Sequence, residues 1–224
     1  MQKAVVLLSG GLDSSTLLHY VSRRLGVPAI DALSFVYGQK HRRELEAARF
    51  QARAAGAASH RILDLSGFAA LVRGGSALTD PEREVPDLAA IDEAERSQPP
   101  TYVPNRNMVL LAVAAAFAES IGAADVFYGA QAQDEYGYWD CTPEFVGTIN
   151  AALALNRRNR IRVRAPFVNM TKSEVLKIGL EMGVDYAHTW TCYRGLEHPC
   201  GVCASCVERA AAFRGRGVRD PLEE

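Results

Sequence analysis

Apolar and polar positions fall into alternating blocks along the chain. Short apolar runs of strand length are followed by longer stretches in which apolar residues recur every three or four positions. Residues 4–8 read as a first strand. A glycine-rich turn then opens a helix whose Leu17, Leu18, Val21 and Leu25 share one face. Residues 30–37 form a second strand, 41–55 a charge-studded helix and 61–65 a short third strand. Residues 107–121 make an apolar, alanine-rich helix, 126–129 a fourth strand and 172–182 a further helix. Strands alternating with amphipathic helices predict an α/β fold, a parallel sheet covered on both faces. Between residues 66 and 104 the periodicity fades into Gly, Pro, Asp and Glu. That texture suits a lid, a binding loop or a segment that orders only with substrate. After Gly129 come polar and aromatic loops, the 172–182 helix and a cysteine-rich region. The expected organisation is an α/β domain over 1–165, with 166–224 a helical, metal-binding extension packed on it.

Composition adds bounds. The 224 residues are 48% hydrophobic and 23% charged, with a net charge of −1. An α/β domain of this length can bury its own core. A near-neutral chain argues against a large nucleic-acid footprint. The longest apolar stretch, 109–118, is too short to span a bilayer. The N-terminus reads as a buried strand rather than a leader, because Gly-Gly-Leu-Asp stands where a cleavage site would fall. A cytoplasmic protein is expected.

The first strand runs into Ser9-Gly10-Gly11-Leu12-Asp13-Ser14-Ser15 and then a helix. Strand, glycines and helix N-terminus together aim backbone N–H groups at an anion, and the serine hydroxyls can add donors. Asp13 would repel a bare phosphate, which predicts Mg²⁺ between it and a nucleotide. An ordinary βα turn with a serine cap is the plainer alternative. No Gly-Lys-Ser/Thr follows, so this is not a Walker A loop, and it lacks the GxGxxG spacing of dinucleotide binders.

Near the C-terminus, Cys192, Cys200, Cys203 and Cys206 offer four thiolates at compact spacing, enough to close a tetrahedral zinc shell. Filling every position predicts a structural zinc, one per chain. Buried free thiols or a redox pair are the alternatives. His188 and His198 lie nearby but are not needed as ligands, and Cys141 stands apart as a small buried residue.

The seven-residue string from Ser9 to Ser15 resembles the PP-loop signature. That resemblance implies a Rossmann-like ATP pyrophosphatase fold, in which a substrate oxygen attacks the α-phosphate of ATP and pyrophosphate leaves. Three further strings narrow the likeness: Tyr37-Gly38-Gln39-Lys40-His41 after the second strand, Tyr102-Val103-Pro104-Asn105-Arg106-Asn107 before the alanine-rich helix, and GAQAQDEYGYWDCTPEF over 129–145. With the cysteine cluster, they are similar to the QueC family of queuosine biosynthesis, nearly end to end. The resemblance implies a carbon–nitrogen ligase with ATP, 7-carboxy-7-deazaguanine and ammonia as substrates. The acid would be adenylated and displaced by ammonia to an amide, and a second ATP would then drive loss of the amide oxygen to leave a nitrile. It also implies that Tyr37, Gln39, His41, Arg106 and Asn107 complete the ATP site begun by the loop. Asp13, Arg106 and Lys172 would serve the chemistry, the two cations by neutralising phosphate charge. Asp134, Tyr136, Asp140 and Glu144 would read the deazaguanine base, the acids accepting its N–H groups and the ring stacking. A homodimer is implied, with neither nucleic acid nor membrane as a partner.

The chain departs from the family pattern in the 134–145 stretch. Glu135-Tyr136 replaces Tyr-Ser, Trp139 replaces Pro and Thr142 replaces Arg, so the acids survive in an altered pocket wall. The run 156–164, NRRNRIRVR, alternates Arg160, Arg162 and Arg164 as on one face of a strand and invites an RNA reading, but the near-neutral total charge favours a solvated face or a dimer contact. Two other readings stay open at this point. One is a relative joining the activated deazaguanine to a protein or acting on tRNA. The other is a zinc-ribbon binding module with a degenerate loop.

Overall fold

The computed structural model describes residues 2–40, 43–132 and 138–223. Five strands, β1 (Lys3–Leu7), β2 (Ala29–Val36), β3 (Ser59–Asp64), β4 (Asp125–Phe127) and β5 (Arg162–Arg164), form one sheet in the order β3-β2-β1-β4-β5. Every pairing is parallel. Among the described residues seven α-helices accompany them: α1 (Leu12–His19), continued by a π-helical stretch, Tyr20–Arg24; α2 (Arg43–Ala54); α3 (Ser66–Leu71); α4 (Arg106–Ser120); α5 (Pro143–Leu153); α6 (Lys172–Glu181); and α7 (Ala204–Arg214).

The expected strands and helices recur within about two residues, as the ends of such elements fray. Three helices were not anticipated. In α3 no residue is buried. In α5, Pro143 and a Thr142 side chain accepting from Phe145 N–H start a helix inside what reads as an aromatic loop. In α7, the helix begins within the cysteine cluster itself.

Burial on both faces explains the unbroken apolar reading of the strands. On one face Ala4, Val6, Leu8 and Ala32 pack against Leu17 and Leu18 of α1, Val175 and Leu176 of α6, and Ala212 and Phe213 of α7. The 166–224 segment therefore contributes to the same core as the first strand. On the other face Val5, Leu33 and Val126 meet Leu111 and Ala114 of α4 and Phe145 of α5.

β1 is central, and successive strands leave it in opposite directions. Its C-terminal end, beside β4, is thus the switch point where an open α/β sheet presents a crevice. The 66–104 stretch covers a third cluster: Ala77, Leu78, Val85 and Val103 pack with Trp190, Cys192, Cys203 and Cys206. Arg194 pins it by donating to Val85 O at 2.8 Å and pairing with Asp87. Among the described residues no helix is long and apolar enough to cross a membrane.

Candidate active site

The loop after β1 is shaped by a close backbone approach. Gly10 has φ 86°, and a Cβ there would stand 2.3 Å from Glu44 O and 2.7 Å from the Ala48 nitrogen of α2. Only glycine fits. Its neighbours tie the loop: Ser9 Oγ lies 2.9 Å from Ser14 Oγ, which also accepts from Ser9 N–H at 3.2 Å. Gly129, at the end of β4, lets that strand approach Ser14 N to 3.3 Å from where a Cβ would stand.

These elements border a cleft of about 240 Å³, lined by Ser9, Gly11, Leu12, Asp13 and Ser14 from the loop. Tyr37, Gln39, Arg106, Asn107 and Lys172 line it as well, so the structure brings most of the expected nucleotide residues to one place. Two loop positions have other surroundings. Gly10 is spent on the contact with α2, and Ser15 is wholly buried, its hydroxyl without a partner among the described residues. Gln39 folds back on its own turn, donating to Phe35 O at 2.8 Å and accepting from Tyr37 N–H at 2.7 Å. His41 lies outside the described residues.

Two basic groups enter from opposite sides. Arg106 is the first residue of α4, directly after Asn105, whose φ of 54° is left-handed, a conformation asparagine tolerates better than most residues. Its guanidinium sits 5.8 Å from the centre of the Tyr37 ring. Lys172 begins α6, fixed by a reciprocal capping box between Thr171 and Glu174. Its ammonium is 2.7 Å from Glu208 Oε2 and 3.8 Å from Asp13 Oδ2. Burial raises the Asp13 carboxyl above the usual range, opposed by Lys172. Asp13 Oδ1 has no partner among the described residues, the condition in which a carboxylate takes a cation.

The expected base readers are distributed differently. Asp134 and Tyr136 lie outside the described residues. Asp140 is buried beneath the cleft wall, where Oδ2 accepts the Asn107 N–H at 3.2 Å, so it orients the start of α4. Burial raises its pKa against the pull of Arg106. Glu144 is exposed in the first turn of α5 and does not line the cleft, because the helix faces Phe145 inward instead. Tyr138 and Cys141 do line it, and Asn107 Nδ2 donates to Cys141 Sγ at 3.3 Å.

The fourth wall comes from residues that sequence alone did not single out: Trp190, Thr191, Tyr193, Ser205 and Arg209. Arg209 is 3% exposed and bound to Asp220 at 2.6 and 2.9 Å and to Thr189 Oγ1 at 2.7 Å. The four cysteines hold this wall. Their sulfurs all lie within 4.8 Å of one another, none is in a disulfide, and the cluster is suited to a metal ion. Cys200 N–H donates to Cys192 Sγ and Cys203 N–H to Cys200 Sγ, each at 3.4 Å. Gly201, at φ 72°, makes the turn between them. In the arginine run, Val163 faces the core, Arg162 is exposed and Arg164 pairs with Asp125.

A glycine loop at the end of the central strand of a parallel sheet thus faces a cleft with a buried lysine and, among the described residues, an unpartnered carboxylate oxygen, an arrangement suited to an anion and a cation. Residues 3–217 match the family model described as queuosine biosynthesis protein QueC. The chain belongs to that family. It is 44% identical to the 7-cyano-7-deazaguanine synthase of Clostridium kluyveri, over 100% of this chain and 98% of that one. It is 47% identical to the enzyme of the same name from Archaeoglobus fulgidus, over 98% and 89% of the two chains. Among solved structures, NMN synthetase from Francisella tularensis shares the fold, with a TM-score of 0.53 at 13% identity, over 97% of this chain and 78% of that one.

Proposed function

We propose that the chain is a carbon–nitrogen ligase converting 7-carboxy-7-deazaguanine and ammonia to 7-cyano-7-deazaguanine, consuming ATP to AMP and pyrophosphate. The observation that carries this reading is the cleft itself, where loop, Asp13, Lys172 and Arg106 converge in a chain so similar to enzymes of that name. The loop N–H groups and Ser9 and Ser14 hydroxyls receive the leaving pyrophosphate, and Lys172 and Arg106 balance its charge. Mg²⁺, held by Asp13, would supply further charge neutralisation there.

Each round activates one oxygen. The carboxylate oxygen attacks the α-phosphorus and pyrophosphate departs; ammonia then adds to the acyl carbon and AMP leaves with that oxygen. The amide oxygen repeats the attack, and loss of AMP and a proton leaves the nitrile. Both substrate oxygens end in AMP. The apolar wall of Leu8, Phe35 and Leu110 keeps water from the adenylate. Asp134 and Tyr136 remain the proposed contacts for the base, and Asp140 orients the start of α4 through Asn107.

The cysteine cluster is proposed to hold one structural zinc. A tetrahedral ion with sulfur at about 2.3 Å needs sulfur pairs about 3.8 Å apart, and Cys200 and Cys206 stand at 4.0 Å. A homodimer and a cytoplasmic setting complete the proposal. A carboxylate labelled with ¹⁸O tests it: each AMP should carry one label, and unlabelled AMP would refute adenylation of the acid.

A further inference from the structure

Lys172 is 5% exposed, and two carboxylates face its ammonium. The hydrogen-bonded one is not the loop aspartate but Glu208, at 2.7 Å against 3.8 Å for Asp13. Glu208 lies on α7, two residues beyond Cys206, with its side chain 36% exposed. A buried ammonium needs a counter-charge, and here Glu208 supplies one at hydrogen-bond distance.

Asp13 and Glu208 place two carboxylates beside the Lys172 ammonium. Arg209, the next residue of α7, also acts on Asp13 and lowers its carboxyl pKa, while Asp220 holds its guanidinium at 2.6 and 2.9 Å. A polyphosphate entering over Ser9 and Ser14 meets a lysine already engaged.

We propose that Glu208 is a positioning residue that holds the Lys172 ammonium in the absence of nucleotide and yields it to a phosphate oxygen when ATP binds. The inference rests on the ATP site proposed above. Glu208 acts as the lysine's resting counter-ion and competes with the phosphate for it. Neutralising Glu208 removes the competitor and one negative charge from the floor, so polyphosphate binding tightens. Lys172 stays in place through its capped helix.

The test is calorimetric titration of the metal-loaded protein with MgATP and, separately, with magnesium pyrophosphate. Glu208→Gln should bind both about three- to tenfold more tightly, the size expected for one charge removed at short range under partial screening. The KM for ATP should fall with it, whereas a purely structural contact would lower stability without tightening anything. Glu208→Asp, which keeps the charge, should stay near the parent. Glu208→Met supplies the uncharged comparison should the amide fold poorly. Lys172→Met should weaken both ligands and shrink the Glu208→Gln effect in the double variant. Unchanged or weaker affinity in folded Glu208→Gln, with Lys172→Met still impaired, overturns the exchange alone. Unchanged affinity in Lys172→Met overturns the exchange together with the lysine's place in the ATP site.

Discussion

The backbone N–H of Trp190 donates to the carbonyl oxygen of Gly10 at 2.9 Å. One hydrogen bond therefore joins the cysteine-bearing C-terminal segment to the glycine loop at the opposite end of the chain. The indole is held in turn from the cysteine side, its Nε1–H donating to Cys192 O at 3.1 Å. If the cysteine cluster holds a metal and the loop a nucleotide, this contact predicts that the two binding events are coupled.

That coupling predicts the effect of metal removal. The purified chain should contain about one zinc, and Cys203→Ser should accumulate mostly as insoluble protein, as expected when a tetrahedral structural site loses a ligand. Complete chelation should shift Trp190 emission and abolish ATP binding together. Full ATP affinity in metal-free protein, measured by calorimetry, would contradict the coupling.

Gly10→Ala tests the loop from the other side. A β-carbon at φ 86° would meet α2 backbone at 2.3 Å, so the loop or the helix must shift. Left-handed strain and overpacking together predict a loss of about 2–5 kcal/mol. For a chain of this size that lowers Tm by about 4–20 °C. A variant melting within a degree of the parent would show that α2 does not press on the loop as described.

Acid should destabilise the fold through His19. The imidazole is 1% exposed, its Nε2 bonds Gln51 Oε1 at 2.9 Å, and its Nδ1 has no partner among the described residues. Burial lowers its pKa below the ordinary 6.5, and Arg23 lowers it further. Unfolded chains then bind the proton more readily than folded ones. The His19 contribution is fully present above about pH 6.5 and is lost as pH falls from there toward the lowered folded value. Melting curves between about pH 5 and pH 8 should show a steeper acid decline in the parent than in His19→Gln. Equal slopes would assign the acid sensitivity elsewhere.

Much of this architecture was legible in the sequence because its signals are local. A β-branched strand followed by Ser-Gly-Gly-Leu-Asp-Ser-Ser states both an element and its chemistry, and four closely spaced cysteines state a metal cluster. What stayed hidden depends on contacts between distant positions. Arg209 carries no signal in the sequence beyond the cysteine cluster, and only the fold gathers Asp220, Thr189 and Thr191 round it. Gly179 of α6 carries no signal in the sequence, yet a Cβ there would meet Tyr186 Oη at 1.7 Å, and that hydroxyl bonds Thr16 across 170 residues at 2.7 Å. Glu144 was expected in the pocket as one of three carboxylates of the 129–145 string able to accept the base N–H groups; the start of α5 at Pro143 leaves it exposed. A single helix boundary separated an acid near the cleft from one at it.

The central claim is that this cleft turns a carboxylate into a nitrile. The most direct measurement is mass spectrometry of the purified chain incubated with 7-carboxy-7-deazaguanine, ATP, Mg²⁺ and ammonium, without added protein or RNA. The account predicts a transient amide, then 7-cyano-7-deazaguanine, with AMP and pyrophosphate released. Intact ATP, or deazaguanine recovered only as a protein-linked adduct, would contradict it.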